Sequence, residues 1–461
     1  MKLSFHGADR GVTGSCHRIE CAGTSLLIDC GLYQGGRELE DENNAPFGFD
    51  AAAINYVLLT HAHLDHCGRL PLLVKRGFRG EIIATAATRE LARVVLLDSA
   101  HLQEDDAGYQ ARQASRRGAA ALPQPLYTTL DALDTLDCFG RAARYGDALD
   151  VAPGIRATFL DAGHILGSAS VHLQLDDGSH RRSVAFSGDL GNRGRPLLRD
   201  PVPPPECDVL VMETTYGDRL HKTIQSSVEE LYQAIADTFR RGGNVVIPTF
   251  ALERAQELLF YLRDGVAAGR LPGSAQVFLD SPMAISATAI FRRHPECYDA
   301  GIGALFREGR DPFDLPGLHF TREVAESMAL NRITGGAIIL AGSGMASGGR
   351  VRHHLKHNLW RENSSVIFVG FAARGTLARQ IIDGARTVRL LGEEVPVRAH
   401  RFTINGFSAH ADQAELIVWQ RRVRAPRTFL VHGDEEVMRQ FALRLQDTEV
   451  VMPTLGQEFE L

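Results

Sequence analysis

The segment Leu58-Leu59-Thr60-His61-Ala62-His63-Leu64-Asp65-His66-Cys67-Gly68 constrains this chain more than any other. It sets three imidazoles and one carboxylate in the pattern H-x-H-x-D-H. An apolar β-type run, Tyr56 to Leu59, precedes it, and a helical pattern, Gly68 to Lys75, follows. In extended backbone His61 and His63 point to the same side, because strand periodicity is two. Asp65 and His66 fall on the turn into the helix, where successive side chains diverge. One short loop therefore offers two nitrogens to one metal, and a carboxylate plus a nitrogen to a second metal close by. Imidazole and carboxylate suit zinc or manganese, and open coordination positions are what a catalytic site needs. A polar loop of satisfied histidines is the plainer reading. It does not account for so many ligand groups at one strand end.

Before this loop the chain alternates short strands and turns: Lys2–Phe5, His17–Glu20 and Ser25–Asp29. Asp29 ends an apolar strand, where it either bonds a ligand histidine or caps a turn. After the loop, residues 88–117 carry a long helical pattern whose end, Gln110 to Gly118, is polar and expected to be mobile. Pro123 to Asp147 reads as more helix and loop. Strands resume at Ile155–Leu160 and lead to Asp161-Ala162-Gly163-His164. His164 lies at a strand end among small residues, where a further nitrogen ligand is needed; a structural histidine is the alternative. A hairpin across Asp177-Gly178 follows. Its second strand ends in Gly188-Asp189-Leu190-Gly191, which places Asp189 to bridge two metals. The strand Asp208–Met212 then runs into Glu213-Thr214-Thr215-Tyr216-Gly217.

The rhythm changes after Gly217. Helix and strand alternate regularly from Ser227 to Gly384, the signature of βαβ units and a second, doubly wound domain with a parallel sheet. Within it, Ala341-Gly342-Ser343-Gly344-Met345-Ala346-Ser347-Gly348-Gly349-Arg350 joins a strand to a basic helix. Such a loop either turns the chain or presents N–H groups to a phosphate. Strand-like sequence returns at Arg398–Ile404. His410 and His432 stand beyond it at element boundaries, next to small residues.

At 461 residues the chain is long enough for about two or three domains. It has 44% apolar and 23% charged residues, as an ordinary globular protein does. No apolar run approaches the roughly 18 residues of a membrane span, and Met1 to His6 enters a strand pattern with no signal-peptide core. The seven cysteines are scattered without a C-x-x-C pair. They read as reduced and mostly buried, hence a cytoplasmic protein. A net charge of −6 gives no global basic signal for nucleic acid, and it leaves room for a locally basic groove.

Asp29, the H-x-H-x-D-H loop, His164 and Asp189 resemble, in order, the motifs of the metallo-β-lactamase fold. Glu213, His410 and His432 resemble the three further motifs of its beta-CASP branch, nucleases related to the mRNA 3′-end cleavage factor. Ser343-Gly344-Met345 and Gly406-Phe407-Ser408-Ala409-His410 look like that branch too. The resemblance is nearest to compact bacterial RNA-processing enzymes. It implies no N-terminal KH domains and no long C-terminal extension of the ribonuclease J type.

The implied fold is an αββα sandwich built from residues 1–215 and 396–461, with a parallel-sheet beta-CASP domain, 216–395, inserted. By resemblance His61, His63 and His164 hold one zinc, Asp65, His66 and His432 the other, and Asp189 bridges them. Asp29 stands behind the ligands. A histidine at the last motif is what RNA-directed members carry, so His432 tilts the substrate towards RNA.

The expected chemistry is hydrolysis of an RNA phosphodiester by a hydroxide between two metals, Zn2+ or Mn2+, leaving a 5′-phosphate. Asp65 serves the metals, and His410, oriented by Glu213, protonates the leaving 3′-oxygen. The alternative for His410 is a role that only fixes geometry. Ser343, Gly344 and Arg350 are expected at a substrate phosphate. Single-stranded RNA is the expected partner, without a membrane, and a homodimer is allowed. The rivals are a DNA nuclease of the same branch, a small-molecule metallo-hydrolase, and a non-catalytic RNA-binding subunit. The second does not require the insertion or the Glu213/His410 pair. The third should have lost ligands, and none is missing.

Overall fold

A computed structural model describes residues 1–116, 123–370, 372–373 and 375–461. Contacts divide the chain into two units. The first comprises Met1–Gly194, Leu198–Leu220 and His410–Leu461, the second Arg195–Leu197 and His221–Ala409.

Two seven-stranded sheets make up the first unit. One has the strand order Glu458–Glu460, Lys2–Phe5, His17–Cys21, Thr24–Ile28, Tyr56–Leu58, Glu81–Thr85, Phe139–Ala143. The other runs Glu449–Val451, Arg427–Val431, Val209–Glu213, Arg181–Phe186, Ala169–Asp176, Ile155–Asp161, Ala148–Ala152. Period-two patterning decides which side chains meet between the sheets. In Ile155–Asp161, Ile155, Ala157 and Phe159 join the central core while Arg156 stays outside. Val209–Glu213 is buried on both faces. Val209 and Val211 enter the core between the sheets, while Leu210 and Met212 pack with Leu416, Trp419, Met438 and Phe441 of the helices Gln413–Val423 and Glu435–Ala442. The helices Leu70–Lys75, Ala86–Arg116 and Thr129–Asp137 pack together with the strands Glu81–Thr85 and Phe139–Ala143 of the first sheet. The result is the αββα sandwich. Phe429 locks the C-terminal segment in place, its ring 5.1 Å from Phe5 and 4.7 Å from Phe459.

Two expectations change here. Residues 123–147 hold the helix Thr129–Asp137 but also the strand Phe139–Ala143, and a second unforeseen strand follows at Ala148–Ala152. Both are edge strands, half exposed, and so lack the apolar alternation that marks a strand. The long helix continues to Arg116, and the rest of the segment expected to be mobile, residues 117 and 118, lies outside the described residues.

The second unit is built on a six-stranded sheet in the order Leu318–Phe320, Gln276–Asp280, Ala337–Ala341, Val245–Pro248, Ser365–Val369, His400–Ile404. Every pairing in it is parallel. Ala337–Ala341 and Ser365–Val369 are buried at every position, as strands covered on both faces must be. The return to the first unit falls after Ala409 rather than at 396, because His400–Ile404 pairs with Ser365–Val369 at the edge of this sheet. No described helix is long and apolar enough to cross a membrane.

Candidate metal centre

Tyr56–Leu58 ends three residues before His61, and the loop then enters a one-turn helix, Leu64–Cys67, with His63 at its N-cap. Asp65 and His66 occupy that turn. The loop can lie this close to its neighbour only because residue 31 is glycine. A Cβ there would stand 1.6 Å from the Asp65 carbonyl oxygen. His164 and Asp189 are brought together in the same way. A Cβ at Gly191 would lie 1.7 Å from the Gly163 oxygen. His432 follows Arg427–Val431 with φ of 49°, a left-handed turn that aims its ring back over the strand ends.

Two donor sets result. His63 Nδ1 is 3.2 Å from His61 Nε2 and 3.1 Å from His164 Nε2. Both of those nitrogens lie 3.5 Å from Asp189 Oδ2. On the other side, His66 Nε2 is 3.3 Å from His432 Nε2 and 3.3 Å from Asp189 Oδ1, while His432 Nε2 is 3.5 Å from Asp65 Oδ2. Asp189 thus divides its two oxygens between the sets. His61, His66, His164, Asp189 and His432 are all buried.

The surroundings fix each ring. Asp29 accepts from His66 Nδ1 at 2.7 Å and from the Thr60 N–H and hydroxyl, each at 2.8 Å. His66 therefore turns Nε2 inward. The Thr60 hydroxyl also lies 3.1 Å from His61 Nδ1, and that of Thr215 lies 3.1 Å from His432 Nδ1. Neither threonine was among the sequence candidates, although Thr60 adjoins His61 and Thr215 stands two residues after Glu213. Glu213 is fully buried. It accepts from Leu190 N at 2.6 Å and lies 3.1 Å from His410 Nδ1. The His410 Nε2 atom is 3.9 Å from Asp189 Oδ2.

Charge follows this geometry. Burial, reinforced by the neighbouring imidazoles, holds His61 well below the ordinary histidine range, and burial takes His63 down to about 4. A histidine held neutral in this way keeps one ring nitrogen with a free lone pair, the atom a metal needs. Burial opposes ionisation of Asp65, but His432 and His66 outweigh it and bring the carboxyl to about 2. Burial likewise works against a proton on His66 and His410. The carboxylates of Asp189 and Asp29 prevail at His66, and those of Glu213 and Asp189 push His410 up to about 9.

A divalent metal fits these residues. Asp189 Oδ1 is buried without a hydrogen-bond partner, in a cluster of imidazole nitrogens whose lone pairs converge. That arrangement is repulsive without a cation, and imidazole with carboxylate is the set that zinc and similar ions take.

Comparison with known proteins agrees. Residues 9–249 match the Metallo-beta-lactamase superfamily, 255–381 the Beta-Casp domain, and 394–453 the Zn-dependent metallo-hydrolase RNA specificity domain. The chain is a metallo-β-lactamase-superfamily protein of the beta-CASP branch. It is 40% identical to Ribonuclease TTHA0252 of Thermus thermophilus over 99% of both chains. It is 32% identical to Transcription termination factor FttA of Methanothermobacter thermautotrophicus, over 94% of this chain and 67% of that protein. A crystal structure of a protein of unknown function from Enterococcus faecalis V583 superposes with a TM-score of 0.57 at 13% identity, covering 100% of this chain and 99% of that one; this likeness concerns the fold.

The remaining candidates lie in the second unit of this beta-CASP protein. Ser343 closes its own loop, its hydroxyl 3.3 Å from Gly348 N, and Gly344 is packed against the Phe250 ring. The Arg350 guanidinium is engaged by Asp280 at 2.7 Å and by the carbonyls of Thr321 and Arg322 at 3.0 and 2.6 Å.

Proposed function

We propose that this protein hydrolyses single-stranded RNA with two zinc ions, His61, His63 and His164 holding one, Asp65, His66 and His432 the other, and Asp189 bridging. The observation that carries this reading is the division of Asp189 between two donor sets. Two such ions, when bound, supply a water acidic enough to attack at neutral pH and neutralise the phosphate oxygens. The chain's own groups do the rest. Glu213 grips His410 Nδ1 and keeps the ring charged. Its Nε2 passes a proton to the 3′-oxygen as the P–O bond breaks, so one product ends in a 3′-hydroxyl and the other in a 5′-phosphate.

RNA is favoured over DNA or a small ester by several supports. The Thermus relative is named a ribonuclease, and residues 394–453 match a domain described by RNA specificity. The second unit has 23 Lys and Arg against 18 Asp and Glu, so a chain that is acidic overall carries a basic insertion. In that unit the loop of Ser343 and Gly344 remains the candidate for a substrate phosphate, folded on itself by the Ser343 N–H to the Gly348 oxygen at 3.3 Å. A cytoplasmic setting is supported by seven free cysteines. The mass of the particle in solution decides whether a homodimer is the working form.

The test is metal analysis together with cleavage of end-labelled RNA, carrying a 5′-monophosphate or 5′-triphosphate, beside DNA of the same sequence. Two metal ions per chain, cleavage of RNA, and loss of both a metal and the activity in His61→Ala are expected. Activity persisting without metal overturns the reading. Fragment sizes separate internal cuts from processing at the 5′ end.

A further inference from the structure

Tyr216 is used by neither the donor sets nor the Glu213–His410 pair, yet it stands beside them. Its ring centroid is 6.0 Å from that of His410, edge to face at 68°. Arg219, whose guanidinium is 5.7 Å from the ring centre, is held in a two-pronged pair with Asp218 at 2.7 Å for each bond. The turn that carries the tyrosine is rigid. Gly217 N donates to the Thr214 oxygen at 3.0 Å, and Gln413 fastens it with its side chain on the Gly217 oxygen at 2.6 Å and its N–H on the Arg219 oxygen at 3.0 Å. Gly217 rests directly on the buried Phe441, where a Cβ would come within 2.8 Å of that side chain. Despite this fixation the Tyr216 ring is partly exposed, and the Arg219 side chain is 48% exposed. An aromatic whose only duty was to steady His410 would be better covered by protein.

We propose that Tyr216 is the stacking platform for the base of the nucleotide whose 3′-oxygen leaves, a subsite that sets where along the strand the cut falls. The inference rests on the reading of this centre as an RNA hydrolase. The leaving oxygen must come within hydrogen-bond reach of His410 Nε2. A base lies one ribose away from its own 3′-oxygen, and Tyr216 lies one ring contact away from the imidazole. Stacking on an aromatic accepts any base, since each has a π face, and larger faces gain more. The site therefore favours a purine over a pyrimidine at this position without reading its edge.

The test is a cycle between enzyme and substrate. kcat/KM is measured for an oligoribonucleotide with one mapped cleavage site, and for copies in which each nucleotide in turn is replaced by an abasic ribose. The proteins are the wild type, Tyr216→Phe and Tyr216→Ala. Tyr216→Ala should lose about 5- to 150-fold on the intact RNA, which at 1.4 kcal/mol per tenfold is about 1–3 kcal/mol. An abasic residue immediately 5′ of the cut should cost the wild type a similar factor and cost Tyr216→Ala nothing more, and Tyr216→Phe, which keeps the π face, should keep the wild type's sensitivity to that abasic residue. Equal loss for Tyr216→Ala on intact and abasic RNA, or no loss, overturns the platform and leaves the hydrolase reading standing. A wild type that cleaves no RNA overturns both.

Discussion

Replacing Asp29 by asparagine is the sharpest probe of how the second donor set is built. The carboxylate takes three hydrogen bonds, from His66 Nδ1 and from the Thr60 N–H and hydroxyl. An amide of the same shape can meet only part of this demand. If its oxygen faces Thr60, its NH2 confronts His66 Nδ1, and the ring can answer only by moving its proton to Nε2. That is the nitrogen that must be bare to hold a metal with Asp65 and His432. If the amide is flipped, its NH2 confronts the Thr60 N–H instead.

Losing a hydrogen bond to a buried charge costs about 1.5–3 kcal/mol, and outlying partners of metal ligands typically set affinity by about 10–100-fold. Asp29→Asn should thus weaken metal at the Asp65/His66/His432 set by about 10–100-fold. The His61/His63/His164 set should change far less, because Thr60 still reaches His61. Titration of the metal-free protein, followed calorimetrically, should show one of two binding steps shifted. Equal weakening of both steps, or of neither, would refute the assignment of Asp29 to His66.

Other perturbations read other parts of the molecule. His410→Ala should lose about 10²–10⁴ in rate while both metals stay bound, and a substrate with a good leaving group should recover much of the loss. Ser343→Ala should weaken RNA binding to a similar extent whatever the base sequence, as a phosphate contact does, and an effect confined to one composition would exclude the loop. Asp280 is fully buried; although burial opposes its charge, hydrogen bonds from His354, Ser327, Thr321 and Arg350 bring its carboxyl to about 2. A depressed carboxyl stabilises the fold above the unfolded value near 4 and loses that contribution as pH falls through 2, here about 2 kcal/mol. Urea unfolding of wild type and Asp280→Asn should differ by about that much at pH 6 and converge towards pH 2.

The ligand loop was legible because its signal is local: the strand, turn and helix that aim four ligands lie within a dozen residues of each other. His410 and His432 carry no such signal. Each is a single histidine beside small residues, and only the ordered resemblance tied them to the loop. The structure supplies the missing cause, a pairing between distant strands. The strands Phe139–Ala143 and Ala148–Ala152 escaped notice because an edge strand exposes one face and its ends, so its burial pattern is broken. Which sheet receives the strand His400–Ile404 was not legible either, because its sequence reads the same whichever sheet accepts its hydrogen bonds. Arg350 shows that charge is legible before its partner is. Asp280 stands 70 residues earlier and nothing in the local sequence joins the two.

That pairing between distant strands also explains where the insertion lies. Glu213 pairs with Val431 in a parallel register, so Glu213 and the following His432 arrive side by side at the C-terminal ends of their strands. Arg181–Phe186 runs parallel to the same Val209–Glu213 strand and releases Asp189 at that end of the sheet. A slip of one residue would turn every side chain to the opposite face and scatter the ligands. The register is protected, because Val209, Val211, Phe429 and Val431 must all face the central core. Between Glu213 and His432 the chain departs at Leu220 and returns at His410. Loop-closure entropy rises only slowly with length, about 0.6 kcal/mol for each doubling. A whole folded unit can therefore occupy that connection while the two strands stay paired. The acid pair spans the departure and the return, with Glu213 before one and His410 at the other. Its 3.1 Å contact joins one residue from before the insertion to one from just after it.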